Sequence, residues 1–290
     1  MYKSKVYSYD YDDYEEGDKS GKTMIADIMA DEEFPSLEEI IIGSWGDAWE
    51  DSCQSMIDDI VTNKDKFSHI KSLFIGDMDF EDCEVSWIIQ GDYSKLWEAM
   101  PQLEKLVIKG SSELELGNIK HDNLKSLEII CGGLPSSVIE SIKKASLPSL
   151  ESLLLYIGVD SYGFDGDKDT IKSLLNDSDF PALKYLGLED SEIQDDIAEI
   201  VFNCKYISQI NTLDLANGSL TDKGGQLIAD KIKDYPNIKK IDLHYHYMTD
   251  DIMDKLDDIA DELDIDIDLD DDQEADEYDG EVYYYPMLTE

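Results

Sequence analysis

The sequence predicts a curved α/β solenoid, with a parallel β-sheet on its concave side and helices on its convex side. Two observations support this prediction. An apolar spacing of the form LxxLxL recurs along the chain, and the segments between the recurrences carry apolar residues at helical spacing. A chain of 290 residues, 42% of them apolar, can bury a substantial core in one elongated domain or two small ones.

The recurring segment is typified by "NIKKIDLHY", which places Ile238, Ile241 and Leu243 in the LxxLxL spacing. In such a unit the second and third apolar residues alternate with exposed residues along a short strand, and a helix returns on the convex side. Eight copies occur at steps of 21 to 33 residues, which is the periodicity of leucine-rich repeats. The copies end at Ile42, Ile75, Ile108, Ile129, Leu155, Leu188, Leu215 and Leu243.

The segments between the predicted strands are predicted to be helices. The stretch "DDIMDKLDDIADEL" places Ile252, Leu256, Ile259 and Leu263 on one face, and "DDIAEIVFNC" and "SCQSMIDDIV" show the same spacing. Steps near 28 residues favour the ribonuclease-inhibitor-like class of repeat. The asparagine that usually closes LxxLxLxxN is missing, so the turns must satisfy their backbone groups in another way. Its positions hold Ser111, Gly132, Gly158, Ser191, Gly218 and His246.

Both ends of a solenoid expose core residues and need caps. We expect residues 1–33 to form an N-terminal cap of a strand and a helix, with Tyr7, Tyr9 and Tyr11 alternating along the strand and "KTMIADIM" forming the helix. Residues 34–262 should form about eight leucine-rich repeats. Residues 263–290 should form a last strand beside Leu243, a solvated acidic tail and a cap. In that cap "VYYYPM" is a candidate to fold back on the end strand.

The net charge of the chain limits the kinds of partner that it can bind. The chain has 68 acidic and 24 basic residues, a net charge of −44, and no arginine. Such a surface repels phosphate backbones and anionic membranes, so we expect neither nucleic acid nor membrane as a partner and expect a protein or peptide, possibly a basic one. The start of the chain does not resemble a signal peptide, no apolar run could span a bilayer, and the four cysteines follow no CxxC pattern. These features predict a cytoplasmic protein, which we expect to be a monomer.

Several longer stretches resemble a family of bacterial cytoplasmic leucine-rich-repeat proteins. They include "IIGSWGDAWEDS", "FIGDMDFEDCEVSWIIQGD", "LGLEDSEIQDDIAEIV" and "LHYHYMTDDIMDKL", and together they span roughly residues 34–263. The resemblance implies the fold and a cytoplasmic location, and it supplies no catalytic residues. Genes of that family often lie near those for radical-SAM and ATP-grasp-like enzymes, which implies an accessory role in a modification pathway.

The two C-terminal histidines are the main candidates for chemistry. His244 and Asp242 should point to the concave face, whereas His246 should turn inward to bind turn backbone, so the two imidazoles should not converge. A metal site needs three or four ligands. No phosphate loop, GxSxG or HExxH motif occurs. We therefore predict a protein that is not an enzyme and uses no metal or cofactor. The alternative is a metal-dependent or carboxylate-based enzyme that uses the His244 region.

The concave face is the predicted binding surface. Its N-terminal half is apolar and its C-terminal half is acidic. One interpretation is that loops or the N-terminal segment cover the apolar half. The other is a docking surface, because a contiguous exposed apolar patch usually marks an interaction site. The predicted partner-binding residues are Ile41, Phe74, Val107, Ile130, Leu154 and Tyr156, followed by Glu189, Asp214, Asp242 and His244. The predicted function is non-catalytic recognition of a protein or peptide.

Overall fold

Strands and helices alternate along the chain in the computed structural model, which describes residues 2–288. Ten strands in this range are parallel and lie in chain order. The predicted fold class, an α/β solenoid of leucine-rich-repeat type, is therefore confirmed. The strands are Ser4–Tyr7 (β1), Glu39–Ile42 (β2), Ser72–Ile75 (β3), Lys105–Lys109 (β4), Ser126–Ile130 (β5), Ser152–Gly158 (β6), Tyr185–Ser191 (β7), Thr212–Asp214 (β8), Lys240–Asp242 (β9) and Asp266–Asp268 (β10).

Helices follow most of the strands, and an antiparallel hairpin of Asp276–Tyr278 (β11) and Glu281–Tyr283 (β12) comes after the last parallel strand. Short 3₁₀ turns lie at Phe34–Ser36, Val85–Trp87, Asp160–Tyr162 and Ile232–Asp234. The α-helices of the described chain are Tyr11–Glu15 (α1), Gly21–Ala30 (α2), Gln54–Thr62 (α3), Leu96–Ala99 (α4), Ser136–Lys143 (α5), Lys168–Asp177 (α6), Gln194–Val201 (α7), Asp222–Lys231 (α8) and Asp250–Leu263 (α9). None of them has the length and the apolar character that a bilayer crossing requires.

The chain divides into two compact units. The first holds β1 to β5, and the second holds β6 to β10, α6 to α9 and the hairpin. In the first unit Ile40, Leu73, Leu106 and Leu127 lie in register on β2 to β5, and all four are fully buried. The second apolar position of each predicted repeat therefore forms one continuous core row in this unit.

The N-terminal cap is partly as predicted. Strand β1 pairs with β2, and "KTMIADIM" lies in helix α2, which begins after Ser20, whose hydroxyl accepts a hydrogen bond from the Lys22 backbone. The prediction that the strand continues to Tyr11 is wrong. The strand ends at Tyr7 because Asp10 caps helix α1, accepting from the backbone of Asp13 while its own N–H binds the Asp13 side chain.

The second unit repeats the same core. Leu153, Leu186, Leu213 and Ile241 lie in register on β6 to β9 and are fully buried, and Ile267 continues the row on β10. Neighbouring helices pack against each other, α6 against α7, α7 against α8 and α8 against α9. The predicted final strand is confirmed, since β10 pairs in parallel with β9.

Buried glutamine and histidine side chains replace the missing asparagines. In the second unit Gln194 donates from Nε2 to the Leu188 oxygen at 2.8 Å, and its Oε1 accepts from the Ser191 nitrogen at 3.2 Å. His246 accepts at Nδ1 from the Met248 nitrogen at 3.1 Å, and its Nε2 lies 3.1 Å from the Leu269 oxygen. The expected inward orientation of His246 is confirmed, and these contacts satisfy turn groups that would otherwise be buried without partners.

Candidate functional site

The strand side chains that alternate with the buried core residues lie on the side of the sheet opposite the helices. This side of each unit is here called the helix-free face. The predicted binding residues lie on it, but not all are exposed as expected. Val107, Glu189 and Asp214 are buried, which corrects the expectation of an open surface at these three positions. Ile41, Phe74, Ile130, Leu154, Tyr156, Asp242 and His244 are half-buried.

In the first unit the apolar residues form a row across four strands. Val6, Ile41, Phe74 and Val107 lie in register on β1 to β4, and Val6 is 55% exposed. The row ends at β5, where Glu128 stands opposite Val107. The predicted apolar half is thus interrupted before Ile130, which lies opposite Lys109 two residues further along the strands. The N-terminal strand extends this row and does not cover it.

In the second unit the corresponding row is acidic. Asp214, Asp242 and Asp268 lie in register on β8, β9 and β10, and neighbouring strands are about 4.8 Å apart. On β7 the row contains Gly187, where a Cβ atom would lie 2.3 Å from Cδ1 of Leu154 and 3.2 Å from Cε1 of Tyr185. The missing side chain leaves room for these two residues.

A hydrogen-bonded carboxyl pair stands at the centre of this unit. Glu189 and Asp214 hydrogen-bond each other, and Tyr185 donates its hydroxyl proton to Oδ2 of Asp214. Glu189 also accepts from Tyr156 and, at 2.8 Å, from Nδ2 of Asn217. Burial and the charge of Asp214 raise the pKa of Glu189 to about 9, and burial raises the pKa of Asp214. Burial therefore favours the protonated form at this pair over two negative charges side by side.

A column of left-handed residues follows the strands of this unit. Each member lies two residues after the last apolar residue of its segment, and each has a positive φ although none is glycine. The members are Asp190 (φ 56°), Asn217 (φ 62°), Tyr245 (φ 57°) and Asp271 (φ 63°). Asp and Asn are the side chains that tolerate this conformation best. The recurrence of Asp or Asn two residues after the last apolar residue is a signal in the sequence, but these residues were not among the predicted site residues.

Two members of this column carry buried oxygens that lack a hydrogen-bond donor. Asp190 and Asn217 are 1% and 3% exposed, and within residues 2–288 neither Oδ2 of Asp190 nor Oδ1 of Asn217 receives a hydrogen bond. Burial raises the pKa of Asp190 to about 8, although backbone hydrogen bonds from Leu288 and Met287 oppose the shift. These two oxygens are therefore buried without partners, which is costly unless a bound group supplies a hydrogen bond.

The C-terminal segment, residues 285–288, crosses the ends of three strands. Tyr247, beyond β9, donates its hydroxyl to the Tyr285 oxygen at 2.8 Å and accepts from the Tyr285 nitrogen at 3.0 Å. The Met287 nitrogen donates to the Asn217 oxygen, beyond β8, at 2.8 Å. The Leu288 nitrogen donates to Oδ1 of Asp190, on β7, at 2.8 Å. Pro286 is buried between these contacts. The segment does fold back, but over the ends of β7 to β9 and not onto the end strand.

Three potential metal ligands also meet in this unit. Ligand atoms of Asp242, His244 and Asp268 all lie within 4.8 Å of one another. Nδ1 of His244 lies 2.7 Å from Oδ1 of Asp242, and the Lys240 ammonium lies 3.4 Å from Oδ2 of the same carboxylate. Asp242 and His244 were predicted from the sequence to share one face, whereas Asp268 was not among the predicted site residues. The pairing of β10 with β9 brings Asp268 beside Asp242.

A protein from Bacteroides fragilis has a crystal structure similar to this chain. The TM-score is 0.89 and the sequence identity is 40%, over 99% of this chain and 77% of that protein. The chain belongs to the family of that protein. The likeness covers both compact units, including the strands that carry the carboxyl pair and the left-handed column. No family model matches the chain, and no curated protein matches it.

Proposed function

We propose that this chain is a non-catalytic recognition module that binds an extended, basic segment of a protein or peptide partner. The observation that supports this proposal is the position of the C-terminal segment, which lies across the ends of β7, β8 and β9. Main-chain groups of Tyr285, Met287 and Leu288 make its hydrogen bonds. A site that contacts main-chain atoms can accept other extended segments in the same way.

The basic character of the partner is supported by two buried oxygens without partners beneath the segment. These are Oδ2 of Asp190 and Oδ1 of Asn217, and burial raises the pKa of Asp190 and of the adjoining Glu189 and Asp214. An ammonium group would supply the missing donors and would favour the ionised form of the carboxyl groups nearby. The net charge of −44 would attract such a partner from a distance.

The apolar row of the first unit is the second contact that we propose. Ile41 and Phe74 are half-buried and Val6 is exposed, so a partner could still remove apolar surface from water at about 25 cal/mol per Å² before entropy costs. Because Asp214 is buried, the half-buried carboxylates of Asp242 and Asp268 would attract the basic partner during association. Phe74→Ala should raise the dissociation rate, whereas Asp242→Asn should slow association and flatten its salt dependence.

A synthetic peptide with the sequence Tyr-Tyr-Tyr-Pro-Met-Leu, matching residues 283–288, tests the site directly. A chain ending at residue 283 should bind this peptide in fluorescence anisotropy, and the full chain should bind it at least ten-fold more weakly because its own segment competes. A peptide with lysine in place of methionine should bind more tightly than one with glutamate. If the shortened chain is folded and binds none of these peptides, the proposal fails.

On the resemblance to bacterial cytoplasmic leucine-rich-repeat proteins, we propose further that the module works in the cytoplasm as an accessory to a modification-enzyme system. The partner would then be an enzyme of that system, encoded by a neighbouring gene. Co-purification of the chain with an enzyme encoded beside it, lost when residues 41 and 74 are both changed to aspartate, would support this role. Failure of every neighbouring enzyme to bind would contradict it.

A metal-dependent enzyme is the second candidate, favoured by the proximity of Asp242, His244 and Asp268. Two carboxylates and one imidazole could hold a divalent transition metal and leave positions open for substrate. Elemental analysis of protein purified without chelators distinguishes the candidates. Stoichiometric metal that is lost on His244→Ala would favour the enzyme, and metal-free protein that binds peptides would favour recognition. The Lys240 ammonium beside Asp242 counts against a cation there.

A further inference from the structure

The last parallel strand of the second unit has one free edge. Strand β10 pairs with β9, and it is the final strand of its sheet within residues 2–288. An edge strand presents unpaired N–H and C=O groups that can pair with another chain. The neighbouring hairpin of β11 and β12 forms a sheet of its own.

Core residues at this edge are incompletely covered. Ile267 is in register with Ile241 and Leu213, which are both fully buried, yet Ile267 is only half-buried. Leu269 on the same segment and Met253 on α9 are half-buried as well. Each earlier strand of the unit is covered by the repeat that follows it, whereas β10 has no following repeat in the described chain.

A cavity of about 600 Å³ lies along this edge, between α9 and β10. Ile267, Leu269 and Met253 line it, and all its other lining residues are aspartates. These carboxylates are Asp250, Asp254 and Asp257 from α9 and Asp266, Asp268 and Asp270 from the β10 segment. Lys240, in register with Asp266 on the neighbouring strand, lies 3.4 Å from Asp242 and interacts electrostatically with Asp266 and Asp268, so it offsets part of this charge. Lys233 and Lys255 pair with other carboxylates, Glu262 and Asp230. The edge therefore combines open main-chain groups, incompletely buried apolar side chains and a concentration of negative charge.

We propose that the free edge of β10 binds an extended basic segment of a second protein, which adds a strand to the sheet. Side chains of a strand alternate between two faces, so the segment should alternate apolar and lysine residues. The apolar ones would cover Ile267 and Met253, and the lysines would face Asp266, Asp268 and Asp270. A second copy of this chain does not fit, because it would bring a net charge of −44 to the same acidic edge. This surface is separate from the segment-binding strand ends, so either proposal can fail without the other.

The probe for this surface is a labelled peptide with the sequence Lys-Val-Lys-Val-Lys-Val-Lys. Its matched controls are the same residues in the order Lys-Lys-Lys-Lys-Val-Val-Val, and the alternating peptide with every main-chain nitrogen methylated. The full chain should bind the alternating peptide at least ten-fold more tightly than either control. The block order keeps the charge and loses the alternation, and methylation removes main-chain donors. Equal binding of all three peptides would mean that only surface charge attracts them and would overturn the proposal.

Charge-matched variants locate the site. Asp266→Lys with Asp270→Lys should weaken binding of the alternating peptide at least ten-fold, whereas Asp51→Lys with Asp65→Lys, at exposed positions of the first unit, should change it much less. Hydrogen exchange of residues 265–270 should slow when the peptide binds. The Tyr-Tyr-Tyr-Pro-Met-Leu peptide should not displace it, which separates this surface from the strand ends. Equal effects of the two double variants, or unchanged exchange at β10, would contradict strand addition.

Discussion

Asn217 donates from its side-chain Nδ2 to Oε2 of Glu189 at 2.8 Å, and its backbone oxygen accepts from Met287 at 2.8 Å. One residue in the left-handed conformation therefore contacts both the buried carboxyl pair and the C-terminal segment. A change in the ionisation of Glu189 and a displacement of the segment should consequently influence each other.

The conformation of Asn217 has a measurable effect on stability. Both Asn217→Gly and Asn217→Ala lose the hydrogen bond to Glu189, but only alanine is strained at φ 62°. We expect the alanine variant to be less stable than the glycine variant by about 1–2 kcal/mol, the usual difference for a left-handed residue. Urea unfolding of the two variants measures it. Equal stabilities would show that the backbone at residue 217 relaxes to a negative φ.

The ionisation of Glu189 should make stability depend on pH. Because its pKa rises from 4.5 to about 9 on folding, the folded chain binds the extra proton between these values. The stabilisation is therefore complete below about pH 4.5 and is lost as the pH rises towards 9. Between pH 5.5 and 7.5 the wild type should lose up to about 1.4 kcal/mol per pH unit relative to Glu189→Gln. Urea unfolding at three pH values tests this, with exposed Glu274→Gln as the control. Parallel curves for the wild type and Glu189→Gln would contradict the shift.

Gly187 should not accept a side chain. A Cβ atom would lie 2.3 Å from Leu154 Cδ1 and 3.2 Å from the Tyr185 ring, so Gly187→Ala must displace one of them. We expect a loss of about 1–3 kcal/mol, typical of overpacking. Combining the change with Leu154→Ala, which opens space beside the new methyl group, should lessen the effect of the glycine substitution. If the two effects simply add, Leu154 is not the obstacle and the Tyr185 contact is the one that matters.

The repeat register is tested by a charged substitution in the core. Leu186 is fully buried on β7, so Leu186→Asp buries an unpaired carboxylate and should cost several kcal/mol, comparable to the whole stability of a domain. Val282→Asp on the exposed hairpin is the matched apolar-to-aspartate control and should leave melting nearly unchanged. Circular dichroism during thermal unfolding distinguishes the two. A folded Leu186→Asp protein with wild-type melting would mean that this strand is out of register.

The sequence alone determined the repeats and their core. Leu153, Leu186 and Ile241 were assigned inward positions from the LxxLxL spacing, and each is fully buried. Helix α9 was predicted at the residues where it occurs. Such features are predictable because alternation along a strand and the 3.6-residue period of a helix are local properties. The start of helix α1 was missed because a cap at Asp10 overrides the alternation of the tyrosines.

Tertiary structure decided the chemistry of the candidate site. Asp214, Asp242 and Asp268 are far apart along the chain, and only the pairing of β8, β9 and β10 brings them together. Burial of Glu189 changes a presumed surface charge into a protonated partner of Asp214. The placement of residues 285–288 over three strand ends likewise depends on where a non-repeating segment returns. Strand register, burial and the path of the chain terminus depend on contacts between distant residues, which a local pattern does not encode.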